Sequence, residues 1–264
     1  MEDLSKYNPE GSTLRKAQLR MLDILIEVDK ICRKHKIEYF LDSGTLLGAV
    51  RHGGFIPWDD DLDIAIRRED WHKLRIALQN ELPANMCYHD WTNDSNYHLS
   101  IAKVRDVNSI FEDPGCRNMR KRGIFIDIFF VEPSIPLKLR KPIDFVYIRC
   151  LRGIHNYSDS IIEKLLGYLC YPMTYFVVWA CRCWAKITRT RMVGRQYGWI
   201  SALYIDHDKI FPVKEIQFEN HLFYAPNDTD SFLSTLYGDY MQIPPEDKRE
   251  THKAPITFLD GERK

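Results

Sequence analysis

Apolar residues recur at helical spacing through Leu14, Met21, Leu22, Leu25, Val28 and Cys32. This predicts a helix from Thr13 to His35, with Ser12 as its cap. Ile37 to Leu41 reads as a short buried strand, and Asp42-Ser43-Gly44 breaks it. Thr45 to Arg51 reads as a short helix that ends at Gly53-Gly54. Leu62, Ile64 and Ile66 then alternate with Asp61, Asp63 and Ala65, a period of two that predicts a strand. A helix carrying Trp71, Leu74 and Leu78 starts at Asp70. Met86 to Trp91, Tyr97 to Val104 and Ile124 to Phe130 read as strands. The stretch from Asp106 to Gly123, with the basic run Arg117 to Arg122, reads as a loop.

The pattern changes after residue 133. From Leu137 to Arg195 aliphatic and aromatic residues dominate, with basic residues between them, which predicts two or three helices. Gly198 to Lys264 reads as irregular. The chain therefore divides into 1–133, with mixed strands and helices, a helical region 134–197, and a C-terminal segment 198–264. Met1 to Glu10 has no apolar leader core. Leu165 to Ala185 comes nearest to a membrane span, but Gly167, Pro172 and Arg182 interrupt it. Its aromatic residues and the following Lys186, Arg189 and Arg191 suit an interfacial helix over 165–191. A buried helical subdomain explains the same pattern.

Lysine plus arginine equals aspartate plus glutamate at 37 each, so no chain-wide basic field exists for nucleic acid. The 7 cysteines are odd in number and include no C-x-x-C pair, which fits reduced thiols in a cytosolic protein better than a disulfide framework.

The chemistry concentrates in GTLLGAVRHGGFIPWDDDLD, Gly44 to Asp63. Asp59, Asp60, Asp61 and Asp63 crowd together, and like charges so close call for a compensating cation. Asp61 and Asp63, two apart on one strand, point to one face, where two carboxylates can hold Mg²⁺ or Mn²⁺. A solvated acidic turn is the bland alternative, but the flanking Phe55, Ile56, Trp58, Leu62 and Ile64 make a purely surface role a poor fit. Ser43-Gly44-Thr45 joins a strand to a helix, so its N–H groups and the Thr45 hydroxyl can face a phosphate. Asp127, alone in the apolar strand Ile124 to Phe129, is expected to be a third ligand or a base. Lys103 and Arg105 share a strand face and can grip phosphate, as can Arg51 and His52.

These residues resemble the LicD family of phosphotransferases, a branch of the nucleotidyltransferase-fold superfamily related to fukutin-type proteins. The resemblance rests on Gly44 to Ile66, with support from Lys103 to Asp106, Gly123 to Ile128, Tyr237 to Met241, Pro244-Pro245 and His252. It implies an α+β fold, a nucleotidyltransferase-like mixed sheet flanked by helices, with the catalytic core in 1–133. It also implies transfer of phosphocholine or a related phospho-alcohol from a CDP-activated donor to a sugar hydroxyl of a cell-surface glycan. Asp61, Asp63 and Asp127 match the metal-binding acids, and Ser43, Gly44 and Thr45 match the phosphate-facing loop. His252 is a weaker candidate for phosphate or acceptor. Phe130 and Ser109 depart from the family's usual proline and threonine. A choline cage from Trp58, Trp91 and Tyr97 is one expectation. A lipid-linked acceptor would place the protein in the cytoplasm, peripheral at the inner face of the membrane. A nucleotidyltransferase using an NTP, a D-x-D glycosyltransferase and an inactive binding module are the rival readings.

Overall fold

The computed structural model describes residues 4–155, 157, 160–249 and 254–260. Helix α1, Thr13–Lys34, follows the expected pattern. Ser12 Oγ accepts the Arg15 N–H at 3.2 Å, and Ala17, Met21, Ile24, Leu25, Val28 and Cys32 form its buried face. Strand β1 (Tyr39–Leu41), helix α2 (Ser43–His52), strand β2 (Asp63–Arg67), helix α3 (Trp71–Glu81) and strand β3 (Met86–His89) follow in order. Next come β4 (Ala102–Asp106), β5 (Ser109–Phe111) and β6 (Phe125–Pro133). Only the end of the expected Tyr97 to Val104 strand pairs, and the expected loop after Asp106 contains β5.

Helices α4 (Leu137–Ile154) and α5 (Ile161–Ile187) form the helical pair. Met192–Arg195, read as helical, is instead strand β7, because its backbone pairs with β6 on one side and with the following strand on the other. The C-terminal segment, read as irregular, contains β8 (Tyr204–Asp206), β9 (Lys214–Phe218), β10 (His221–Ala225), α6 (Thr229–Tyr237) and β11 (Ile256–Phe258). Strands β9 and β10 form a two-residue hairpin whose Glu219 takes a positive φ of 51°.

The protein is a mixed α and β structure around one curled sheet. Its strand order is β1-β2-β6-β4-β3, with β7 on β6 and β8 on β7. Strand β6 is the hinge of this arrangement. It pairs parallel with β2, and antiparallel with β4 over its first half and β7 over its second. One consequence is a row across the sheet, since Asp63 sits opposite Asp127, Asp127 opposite Lys103, and Lys103 opposite His89. Residues directly opposite in a sheet project to the same face. The other face is closed by α1 and α3, and the core there holds Ile64, Ile66, Val104, Ile126 and Ile128.

Helix α4 is pinned to the sheet domain. Arg140 Nη2 donates to the Gln196 carbonyl at 2.7 Å, and Asp144 Oδ1 accepts the Gly198 N–H at 3.0 Å. Helix α5 lies along the outside of α4, at its closest where Gly153 and Gly167 meet, and a Cβ on Gly167 would stand 3.1 Å from the Gly153 Cα. The buried-subdomain expectation fails for α5. Among its described residues only Gly167, Thr174, Val178 and Ala185 are buried. Despite Pro172, it is a single helix, long and apolar enough by length and composition to cross a membrane.

Two buried histidines make stability sensitive to acid. Burial and then Arg105 hold the His89 ring at a pKa of about 4, and burial and then Arg152 hold His98 at about 4. Both rings are neutral in the folded chain, while the unfolded chain takes protons near the ordinary value of 6.5. Their contribution is complete above that pH and is lost as pH falls toward 4. Thermal unfolding should therefore show Tm dropping between pH 7 and pH 5. A His89→Gln/His98→Gln variant should show a shallower drop over the same range; an unchanged slope would refute the assignment.

Candidate active site

The acidic loop is held in place by apolar anchors and by one buried amide. Phe55, Ile56 and Trp58 are buried, and Trp58 packs edge-on against Tyr7 with ring centroids 5.4 Å apart. Gln18, fully buried on α1, donates through Nε2 to the Asp59 carbonyl at 2.9 Å. Strand β2 starts at Asp63, so Asp61 precedes the ladder instead of standing within it as the alternation suggested. The two carboxyls still approach each other. Burial, then Asp61, Asp127 and Asp59 push the Asp63 carboxyl well above the usual range, and only Lys103 opposes them. Burial and Asp61 do the same to Asp59, whose side chain is within hydrogen-bonding reach of Asp61. Two carboxyls share a hydrogen bond only if one keeps its proton.

Asp127 joins this group from β6. Its Oδ1 pairs with the ammonium of Lys103, which also lies 3.4 Å from the centroid of the Phe125 ring. The expected three-carboxylate cage is therefore not preformed. Among the described residues no three His, Cys, Asp or Glu side chains stand as a metal-holding group. What the fold brings together is an oxygen-rich cluster of Asp59, Asp61 and Asp63, with Asp127 and its lysine beside it.

The Ser43-Gly44-Thr45 turn forms the floor next to these acids. Ser43 has a φ of 45°, a left-handed conformation that costs a non-glycine residue about 1–3 kcal/mol. Asp42 holds it there by accepting the Ser43 N–H at 2.7 Å. Arg195 of β7 grips both, pairing with the Asp42 carboxylate and donating to Ser43 Oγ at 2.9 Å. Arg195 and Asp42 are both buried. Gly44 leaves room for an acid, since a Cβ there would lie 2.8 Å from Asp59 Oδ2. Thr45 is buried, and its Oγ1 accepts the Asp63 N–H at 2.8 Å, so it positions the start of β2 from behind.

An open cleft of about 440 Å³ runs over this floor. Ser43, Gly44, Asp59, Asp61 and Asp63 line one side, and Tyr237, Tyr240 and Lys248 line the other. Arg51 stands at the wall, and its Nη1 donates to the Tyr240 and Gln242 carbonyls, both at 3.2 Å. Its adjacent His52 Nε2 accepts from Arg51 Nε at 3.0 Å. Tyr237 stands close enough to sense the acids: burial, then Asp63, push its phenol well up.

Several expected site residues are placed elsewhere. Arg105 cannot reach a phosphate. It is buried, with Nε donating to His89 Nδ1 at 3.0 Å and Nη1 to the Gly123 carbonyl at 2.9 Å. The aromatic cage also fails to form. Trp91 stacks on Trp71 with centroids 5.2 Å apart and packs against Phe130, which alternation puts on the opposite sheet face from Asp127. Tyr97 is fully buried against His89. Of the three, only Trp58 lines the cleft. Ser109 Oγ accepts the Ile124 N–H at 2.9 Å, so this departure, like Phe130, serves the fold. His252 lies outside the described residues. Tyr237, which heads the C-terminal segment that supports the resemblance, lines the cleft, whereas the sequence reading missed Gln18, Asp42 and Arg195 as site residues. Asp42, directly before the turn, was the only one with a local signal.

The LicD/FKTN/FKRP nucleotidyltransferase domain matches residues 36–138, the segment that carries the turn and all the acids. The lipopolysaccharide cholinephosphotransferase LicD of Haemophilus influenzae is 29% identical over 265 aligned residues, covering 94% of this chain and 98% of that protein. Protein RP689 of Rickettsia prowazekii, itself uncharacterized, is 44% identical over 170 residues, 61% of this chain and 53% of its own length. The human ribitol 5-phosphate transferase FKRP is 56% identical over a 34-residue stretch, 13% of this chain and 7% of that protein. Together with the geometry of the cleft, these matches define the chain as a phosphotransferase. Residues 36–138 carry a LicD/FKTN/FKRP-type domain, and the whole chain is similar to a LicD cholinephosphotransferase.

Proposed function

We propose that this chain transfers a phospho-alcohol, phosphocholine foremost, from a CDP-activated donor to a sugar hydroxyl of a glycan, on a nucleotidyltransferase-like fold. The observation that carries the reading is the crowding of Asp59, Asp61 and Asp63 at the floor of an open cleft, with Asp63 strained toward its neutral form by its neighbours. Such a cluster fits a hard divalent cation. Mg²⁺ takes oxygen ligands, needs only one or two carboxylates, and fills its remaining positions with water and substrate phosphate. Asp61 and Asp63 would hold it, and it would supply neutralisation of the diphosphate charge.

The chain's own residues do the rest. The Ser43-Gly44 turn and Arg51 orient the donor phosphates in the cleft, and Thr45 sets the start of β2 behind it. Lys103 holds the Asp127 carboxylate in place. The acceptor oxygen attacks the phosphorus bearing the alcohol, its proton passes to Asp127, and the bond from that phosphorus to CMP breaks. Relatives that act on choline phosphate and on ribitol 5-phosphate support a phospho-alcohol as the transferred group.

Incubation of the purified chain and Mg²⁺ with CDP-choline, CDP-ribitol, UDP-glucose and the four NTPs, each with a glycan acceptor, tests this. Release of CMP from a CDP-alcohol is the expected result. Release of pyrophosphate or UDP instead would replace the reading with a nucleotidyltransferase or glycosyltransferase.

A further inference from the structure

The outer face of α5 carries a continuous apolar stripe that the fold leaves uncovered. Leu165, Leu169, Met173, Phe176, Trp179 and Trp184 follow one another at helical spacing, and Leu169, Phe176 and Trp179 are 75%, 62% and 53% exposed. No charged residue stands between Lys164 and Arg182. Around the stripe the exposed charges are almost all basic: Lys138, Lys141, Arg149 and Arg152 on α4, and Lys186 and Arg189 at the end of α5. On the two helices Glu163 is the only exposed acid, since Asp144 is buried against Arg140. The chain's overall charge is zero, so this is a local concentration of cations.

We propose that α5 is a docking surface for an anionic lipid bilayer and lies in the plane of its headgroups. The orientation follows from the packing. Helix α5 rests lengthwise on α4, which is tied to the sheet domain through Arg140 and Asp144, and Arg182 of α5 is bound to the buried Glu132 of β6 at 2.7 Å. A helix fixed along the flank of a domain cannot stand upright to span a bilayer. It can sink its apolar stripe between acyl chains, with Tyr and Trp rings at the headgroup level and the flanking cations on lipid phosphates. A second copy of the chain fits less well, because face-to-face docking would set these cations against cations.

Flotation of the full chain with vesicles tests this independently of the transfer chemistry. Co-flotation is expected with vesicles of phosphatidylcholine and phosphatidylglycerol, and much less with phosphatidylcholine alone. Lys186→Glu or Arg189→Glu should each weaken binding about 5-fold or more. Phe176→Glu/Trp179→Glu should abolish it while leaving Tm unchanged, because both side chains face outward. If that variant does not fold, brominated lipids serve with the wild-type chain, where quenching of tryptophan emission is expected at a shallow depth. No co-flotation with either vesicle would overturn the proposal. So would equal binding to both, quenching at the bilayer centre, or a dimer in sedimentation equilibrium that Phe176→Glu/Trp179→Glu converts to monomer without any vesicle binding in the wild type.

Discussion

Asp63→Asn is expected to cut CMP release by at least ~10²-fold while leaving Tm unchanged or raised. The two effects share one cause. Asp63 sits among Asp61, Asp127 and Asp59, and their repulsion already drives its carboxyl toward neutrality. Removing that charge relieves the folded state and at the same time removes a carboxyl group from the cleft floor. Asp61→Asn should behave alike in activity. The pattern separates a site residue from a structural one, since a structural buried acid loses stability along with function. The measurement is single-turnover CMP release beside a thermal melt. Full activity in either variant would remove the basis for a cation at this position.

Arg195→Met should be the most destabilising single substitution at the site. Arg195 and Asp42 are buried and paired, and Arg195 also donates to Ser43 Oγ. Deleting the arginine leaves the Asp42 carboxylate buried with no cationic partner, a loss of about 3–5 kcal/mol. For a chain of this size that corresponds to a Tm drop of roughly 10 °C. Activity should fall too, because Ser43 then loses one of the two partners that hold its left-handed conformation. The double variant Asp42→Asn/Arg195→Met should be much less destabilised than the sum of its single variants. Additive losses would show that the pair does not act as a unit.

Much of this site was readable in the sequence because its signals are local. The 3.6-residue period and Ser12 gave α1, the alternation around Ile64 gave the strand that carries Asp63, and the apolar run Ile124 to Phe130 gave the strand that carries Asp127. The density of acids between apolar anchors pointed to the cleft floor. What escaped was long-range. Strand β5 is three residues long and finds its partner β11 near the opposite end of the chain, so neither has a periodicity of its own. Strand β7 follows directly on helical sequence, and only its pairing with β6 makes it a strand. Arg105 shows the converse failure. Its position on the same strand face as Lys103 was right, but both side chains are buried, Lys103 on Asp127 and Arg105 on His89, which spacing cannot reveal.

The anchoring of the acidic loop by Gln18 has a bearing on how the protein can be cut down. The family-defining segment spans residues 36–138, yet the amide that fixes the Asp59 backbone comes from α1, before it. The arginine gripping the turn and the tyrosine facing the acids come from β7 and α6, after it. Excising the recognisable module would carry away every carboxylate and abandon the scaffolding that aims them. The smallest competent fragment is accordingly far larger than its signature, and transplanting the signature alone into another backbone would deliver the right functional groups without their alignment.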